Sequence, residues 1–325
     1  MCLVQMRLSA IDGDPDEALV LLRVAINMSE GRAAIPTLGG GITGSSGLRT
    51  LGPQIAMLAR EGLLPDDHVR RAMRIIDERT MLITLPRIIE GEYISTVDSL
   101  DHHFGPGLIG GGWFVRNGPD AWMHDPLISM DKRFEYIINS APKVHWSDNL
   151  RSFLLPTRRR MLEDARRLCE FDSLEATIAP WARPRDPFRR YRAARGSVYL
   201  LYESADDTDP DAYHKSIDLA ETLMDGTRLA LAVELFRRAH GEPPRTLDEL
   251  VPEFIEVRPK DGFTSDGSFV YRRLDPGEDP EGRLFRLYSV GMNFTDDGGV
   301  MDLDQDPPLD DVLFDTVRPA AKPRE

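Results

Sequence analysis

The chain is 325 residues long, 41% hydrophobic and 29% charged, with a formal net charge of -14; this allows a packed core for one large or two ordinary domains and argues against general nucleic-acid binding. Two cysteines, Cys2 and Cys169, are too few for a disulfide framework. No run approaches the ~18 apolar residues of a membrane helix, and 1–10 is too short and polar for a secretory signal, so the chain alone reads as a soluble cytoplasmic protein with Cys2 in a mobile terminus.

In chain order, the first predicted helix covers 16–30. Ala18, Leu19, Leu22, Ala25 and Ile26 recur at helical spacing, with Asp14 as cap and Pro15 at the first helical position. The stretch 35–59 contains Gly39-Gly40-Gly41-Ile42-Thr43-Gly44, literally G-x-G-x-x-G. A dinucleotide fingerprint needs a strand before it, a helix after it and an acidic residue about 20 positions on. Pro36 and Thr37 make a poor buried strand, so the competing reading is a loop or a glycine-tolerant helix packed closely on its neighbour. A helix over 66–78 carries Val69, Met73 and Ile76 on one side. It follows 58–64 through a turn at Gly62, an order that suits either a DNA-reading pair or core packing, and core packing is the expectation in so acidic a chain. Another helix is predicted over 81–100, bent at Pro86 or Gly91.

The texture of 101–125 is glycine, aromatic and histidine: Asp101-His102-His103, Gly110-Gly111-Gly112-Trp113, then Trp122-Met123-His124-Asp125. Imidazole and carboxylate suit zinc or another transition metal, or a general base, so His102, His103 and His124 with Asp101 or Asp125 are candidate ligands. No H-x-x-x-H or C-x-x-C spacing supports them, and the alternative is an irregular loop anchored by Trp113, Phe114 and Trp122. Helical spacing returns over 127–140 and 148–169. A proline- and arginine-rich linker at 180–195 follows, with Trp181 and Tyr191 as expected anchors. Between 151 and 195 twelve arginines stand against six acidic residues, whereas 275–315 holds twelve acidic residues against Arg283 and Arg286. Such runs either face one another or are solvated surfaces.

A long amphipathic helix is predicted from 211 to 240, with Ala220, Leu223, Met224, Leu231 and Leu235 as its apolar stripe. Gly241 and Pro243-Pro244 stop it, and Arg237, Arg238 and His240 complement its dipole. Thr246 and Glu249 form a capping box opening a short second helix. Strands are predicted over 268–273 and 283–290 around the turn Asp275-Pro276-Gly277, an antiparallel pair. The acidic sequence Asp296-Asp297-Gly298-Gly299 follows, with Asp302, Asp304 and Asp306 beyond it. An EF-hand is excluded, because Pro307 stands where its glycine is required and Leu313 where its bidentate glutamate is required.

The order long helix, Leu247-Asp248-Glu249-Leu250-Val251-Pro252, two strands, Leu287-Tyr288-Ser289-Val290-Gly291 and an aspartate-glycine loop resembles the soluble domain of type II secretion major pseudopilins, in the version fused to larger envelope proteins of planctomycete type. The match covers about 228–314 and departs at Gly262, where the family's turn has proline. The resemblance implies an α+β fold: a mostly α-helical domain over 1–195, then a pseudopilin-like long helix, small antiparallel sheet and acidic loop over 196–325. It implies calcium in that loop, held by Asp296 and Asp297 with Asp302 and Asp304 nearby. It also implies a place on the extracytoplasmic face of the cell envelope, with any membrane helix upstream of Met1. Filament formation is not implied, since the assembling N-terminal helix of true pseudopilins is absent. The functional expectation is a non-enzymatic structural or protein-interaction protein with another envelope protein as partner and no nucleic acid. The alternative is a metal-dependent or histidine-based enzyme with its site at 101–125.

Overall fold

The computed structural model describes residues 2–33, 38–78, 85–103, 158–184, 212–275, 277–279, 282–299 and 311–314. Helix α1 (Cys2–Ile11) and α2 (Pro15–Ala33) form a hairpin. Its turn uses Gly13 at φ +84°, which suits a residue lacking a β-carbon, and Asp14 Oδ1 accepts the Glu17 N–H at 2.9 Å as the predicted cap. The amino-terminal segment is thus ordered where a loose terminus was expected. Met6 and Ala10 are buried, and Arg7 Nη2 donates to Glu61 Oε1 at 3.0 Å across to the next helix but one.

The glycine-rich stretch is part of α3 (Leu38–Arg60), so 39–44 is helix and has no strand-to-helix turn in which to cradle a phosphate. Two glycines of this helix, Gly47 and Gly52, serve close approach. A β-carbon on Gly47 would stand 2.2 Å from Ser29 Oγ of α2, and one on Gly52 would stand 2.3 Å from Thr227 Oγ1. Helix α4 (Asp66–Asp77) follows the Gly62 turn and buries Val69, Ala72, Met73, Ile75 and Ile76, which is core packing. Helix α5 (Leu85–His103) carries Pro86 in its first turn, where the missing N–H costs nothing, and runs on through Gly91. It packs against α6 (Arg158–Glu175).

The long helix α7 (Ala212–His240) departs from expectation in its environment. It packs against α3, α4 and the sheet, and from His214 to Leu235 nearly every side chain is buried or half-buried, including Ser216, Asp218, Thr222, Thr227 and Glu234. It is a central helix, and the apolar stripe read from sequence is only one part of its buried surface. Gly241 ends it at φ +81°, its N–H bonded to Arg237 O at 2.8 Å. A 3-10 turn (Leu247–Leu250) follows, with Glu249 Oε1 accepting the Thr246 N–H at 3.0 Å.

The sheet has the order β1 (Val270–Arg273), β2 (Phe285–Ser289), β3 (Val312–Leu313), all antiparallel. Tyr271 stands opposite Leu287, and Ser289 opposite Val312. The first two strands match the sequence reading; β3 was not anticipated. The architecture is α+β, with helices dominating and one small antiparallel sheet. One apolar cluster runs from Met6 through α7 to Phe314. The expected domain boundary at 195 lies outside the described residues, as do the expected helix at 127–140 and the anchor Tyr191. Trp181 is 41% exposed, and its backbone N–H donates to Gly262 O at 3.3 Å. No helix among the described residues is long and apolar enough to cross a membrane.

Candidate functional site

The loop that follows β2 is built on a polar scaffold. Asp279 is buried and receives Arg283 Nη2 at 2.8 Å and Arg286 Nη2 at 3.3 Å, while Arg286 Nη1 donates to Gly299 O at 3.2 Å. One arginine on β2 therefore ties the turn before that strand to the acidic loop after it. Within the loop, Asp296 Oδ1 accepts the Tyr288 hydroxyl at 2.8 Å and the Gly298 N–H at 2.9 Å. Asp297 Oδ2 accepts Asn293 Nδ2 at 2.7 Å. Both carboxylates are exposed. Burial and the bond to Asp296 push the Tyr288 phenol well above its ordinary range, so it remains a donor.

Asp311, immediately before β3, is the residue that sequence reasoning missed. It is buried; Oδ2 accepts the Gly299 N–H at 2.7 Å, and among the described residues Oδ1 has no hydrogen-bond partner. Burial raises its pKa, the N–H groups of Gly299 and Asp297 pull it partly back, and Asp296 and Asp297 add repulsion. A carboxylate oxygen buried without a donor beside two further carboxylates suits a hard, oxygen-preferring cation. Asp311 was legible as a carboxylate preceding the apolar run Val312-Leu313-Phe314, but nothing in the sequence folds it back to Gly299. Of the other expected ligands, Asp302, Asp304 and Asp306 lie outside the described residues. Among the described residues no three His, Cys, Asp or Glu side chains are already gathered closely enough to hold a metal.

Asp261, beside Gly262 in the turn ahead of β1, is a further buried carboxylate. Its Oδ1 accepts the Phe263 N–H at 2.9 Å, and its backbone N–H donates to Gly267 O at 2.9 Å, closing the turn ahead of β1. Burial raises the carboxyl from 3.8 to about 6, against the opposing pull of the Phe263 N–H, the Ser289 hydroxyl and the Val290 N–H.

The histidine-rich candidate falls only in part within the described residues. Asp101, His102 and His103 close α5, so this end of the expected loop is helical, while His124 and Asp125 lie outside the described residues. The arginine-rich segment pairs along its own helix: Arg160 with Asp164 at 3.1 Å, Arg167 with Asp164 at 3.1 Å, Arg166 with Glu170 at 3.5 Å. A buried polar cluster between α3 and α7 was also missed. Ser45 and Ser216 share a hydrogen bond at 2.8 Å, and Arg49 Nη1 donates to Ser216 at 3.1 Å. None of these residues stands out in the sequence, and they fasten two helices.

Comparison with known proteins adds nothing to this geometry: the chain matches no protein-family model, no curated protein and no solved structure.

Proposed function

We propose that this chain is a non-enzymatic structural or protein-interaction protein of the cell envelope, in which a helical body carries a pseudopilin-like tail stabilised by calcium. The supporting observation is Asp311: a buried carboxylate with one oxygen unpartnered among the described residues, held against the aspartate-glycine loop that follows β2. Asp296, Asp297 and Asp311 would contribute oxygen ligands, with Asp302 and Asp304 from the adjoining segment. The ion would supply charge neutralisation and no chemistry. The other buried charges favour a structural reading. Arg238 Nη1 bonds to Leu64 O at 2.7 Å and Asp66 Oδ1 at 2.8 Å, and its Nε to Glu234 Oε1 at 3.0 Å, stapling the end of α7 to the α3–α4 turn.

The partner in this reading is another envelope protein, and the chain sits on the extracytoplasmic face. Fractionation of the native cells, combined with protease treatment of spheroplasts, tests the location. The chain is expected in the envelope fraction and cleaved from outside, and recovery only from the cytosol would remove the envelope reading. Titration calorimetry with calcium chloride tests the ion separately.

A further inference from the structure

The α1–α2 hairpin turns a second apolar surface outward. Val4, Leu8 and Ile11 of α1 recur at intervals of four and three, and Val20, Val24 and Met28 of α2 at intervals of four. These six side chains are between 40% and 66% exposed, on the sides of their helices opposite the core residues Met6, Ala10, Leu19, Leu22 and Ile26. The half-buried Leu21 and Ala25 pack against the core. Each helix therefore has apolar residues on both faces, which the burial of one hairpin on one core does not require.

We propose that this outer face is a self-association surface, buried against the same face of a second copy of this chain. The inference does not depend on the envelope reading. Area is the first argument. With roughly 150–200 Å² for a fully exposed residue of this size, the six present on the order of 500 Å² per copy. Two copies then bury about 1,000 Å² before any polar rim is counted, where specific interfaces begin.

Charge is the second argument. Two copies of net charge -14 repel at long range, and the six aliphatic side chains add no charge to that repulsion. The basic residues nearest the stripes are already paired, Arg7 with Glu61 at 3.0 Å and Arg23 with Glu78 at 2.8 Å. An isologous contact asks only that a patch tolerate its own image, and an uncharged aliphatic patch does so. A lipid surface fits poorly. Interfacial helices hold lysine and arginine beside their apolar face, whereas the turn of this hairpin carries Asp12, Asp14, Asp16 and Glu17. A small ligand fits poorly as well, because an outward helical face offers no cleft.

The test is the mass of the full chain in solution by sedimentation equilibrium over a concentration series. The expected result is twice 36.6 kDa. Leu8→Glu combined with Val24→Glu is expected to halve that mass with the helical circular dichroism and the melting transition retained. Leu174→Glu, at an exposed apolar position on α6, is expected to leave the dimer intact. Should the double variant lose its helical signal, the milder Val20→Gln is read instead and is expected to weaken the dimer at least tenfold. A wild-type chain of single mass at every concentration overturns the proposal, whether it then floats with phosphatidylcholine vesicles or stays free of them. A folded double variant that remains dimeric overturns it equally.

Discussion

Phe314 lies with its ring against the backbone of Gly226 in the middle of α7, so close that a β-carbon at 226 would stand 2.2 Å from the ring Cζ. The ring meets Phe269 edge-on, with centroids 5.6 Å apart, and the Phe314 N–H donates to Leu287 O at 2.9 Å. The short β3 strand is thus held by an aromatic plug in a slot that only glycine leaves open. In an exposed helix interior, glycine to alanine stabilises by about 1 kcal/mol. Here overpacking opposes that gain, at a cost of about 1–3 kcal/mol or more. Gly226→Ala is expected to lower the melting temperature, and Phe314→Ala to cost about 3–5 kcal/mol. In the Phe314→Ala background, Gly226→Ala should turn neutral or stabilising. Denaturation of the two single variants and the double variant decides it, and an unchanged penalty in that background would mean the slot is not what excludes the side chain.

The elements most legible in the sequence are those whose signals are local. Asp14 with Pro15, the Gly62 turn, the Gly241 stop and the aromatic and β-branched content of 283–290 each act within a few residues, and each appears where the chain predicts it. The features that escaped depend on contacts distant in sequence. α7 reads as amphipathic from its apolar stripe, which does not show that Ser216, Thr222 and Thr227 are buried as well. Thr227 is buried where Gly52 lets α3 approach to within its hydroxyl. β3 is two residues long and has no periodicity of its own; it exists because Ser289 and Tyr288 offer a free edge. The site is legible to the same degree: Asp296 and Asp297 lie in a recognisable loop, whereas Asp311 joins them only through the fold.

Arg183 and Asp218 form a buried ion pair linking the segment after α6 to α7, both side chains less than a tenth exposed. Arg183 Nε also caps the end of α6, donating to Ile178 O at 3.0 Å and Glu175 O at 3.2 Å. Burial pushes the Asp218 carboxyl up despite the guanidinium beside it, so the pair survives only while both partners are present. Arg183→Met strands a buried carboxylate and is expected to cost about 3–5 kcal/mol. Adding Asp218→Leu should recover most of that loss, leaving a deficit from the two uncapped carbonyls. Urea titrations of the three variants measure the coupling, and additive losses would show that the pair contributes nothing jointly.

Asp261 makes a prediction about pH. Its folded value of about 6 stands above the ordinary 3.8, so between those values the folded chain keeps a proton that the unfolded chain has released. Stability therefore falls as pH rises from 3.8 to 6, and above 6 a constant penalty remains. A shift of about two units corresponds to about 3 kcal/mol. Asp261→Asn cannot titrate, so its stability relative to wild type should climb by up to that amount across this window and stay flat outside it. Measuring the difference between the two proteins at each pH cancels every constant effect of the amide. A difference that does not change with pH would show that the carboxyl titrates normally.

The acidic loop makes the last prediction, and Asp311 sharpens it. Like charges at Asp296, Asp297 and Asp311 repel, and Asp311 is in addition held away from water with one oxygen unbonded. A divalent cation that binds only the folded loop relieves both costs and stabilises the protein by mass action, about 2.7 kcal/mol at a hundred times its dissociation constant. Millimolar calcium should raise the melting temperature, and magnesium should raise it less, because its octahedral shell is stricter and it gives up water reluctantly. Asp296→Asn with Asp297→Asn should abolish the rise while α1 to α4 remain folded. Asp311→Asn should do two things at once: stabilise the calcium-free protein, since a buried charge is removed, and blunt the response to calcium, since a ligand is lost. That pairing of opposite signs separates a cation site from a merely solvated loop. If melting curves in calcium and in chelator coincide at matched ionic strength for the wild-type chain, the carboxylates hold no ion.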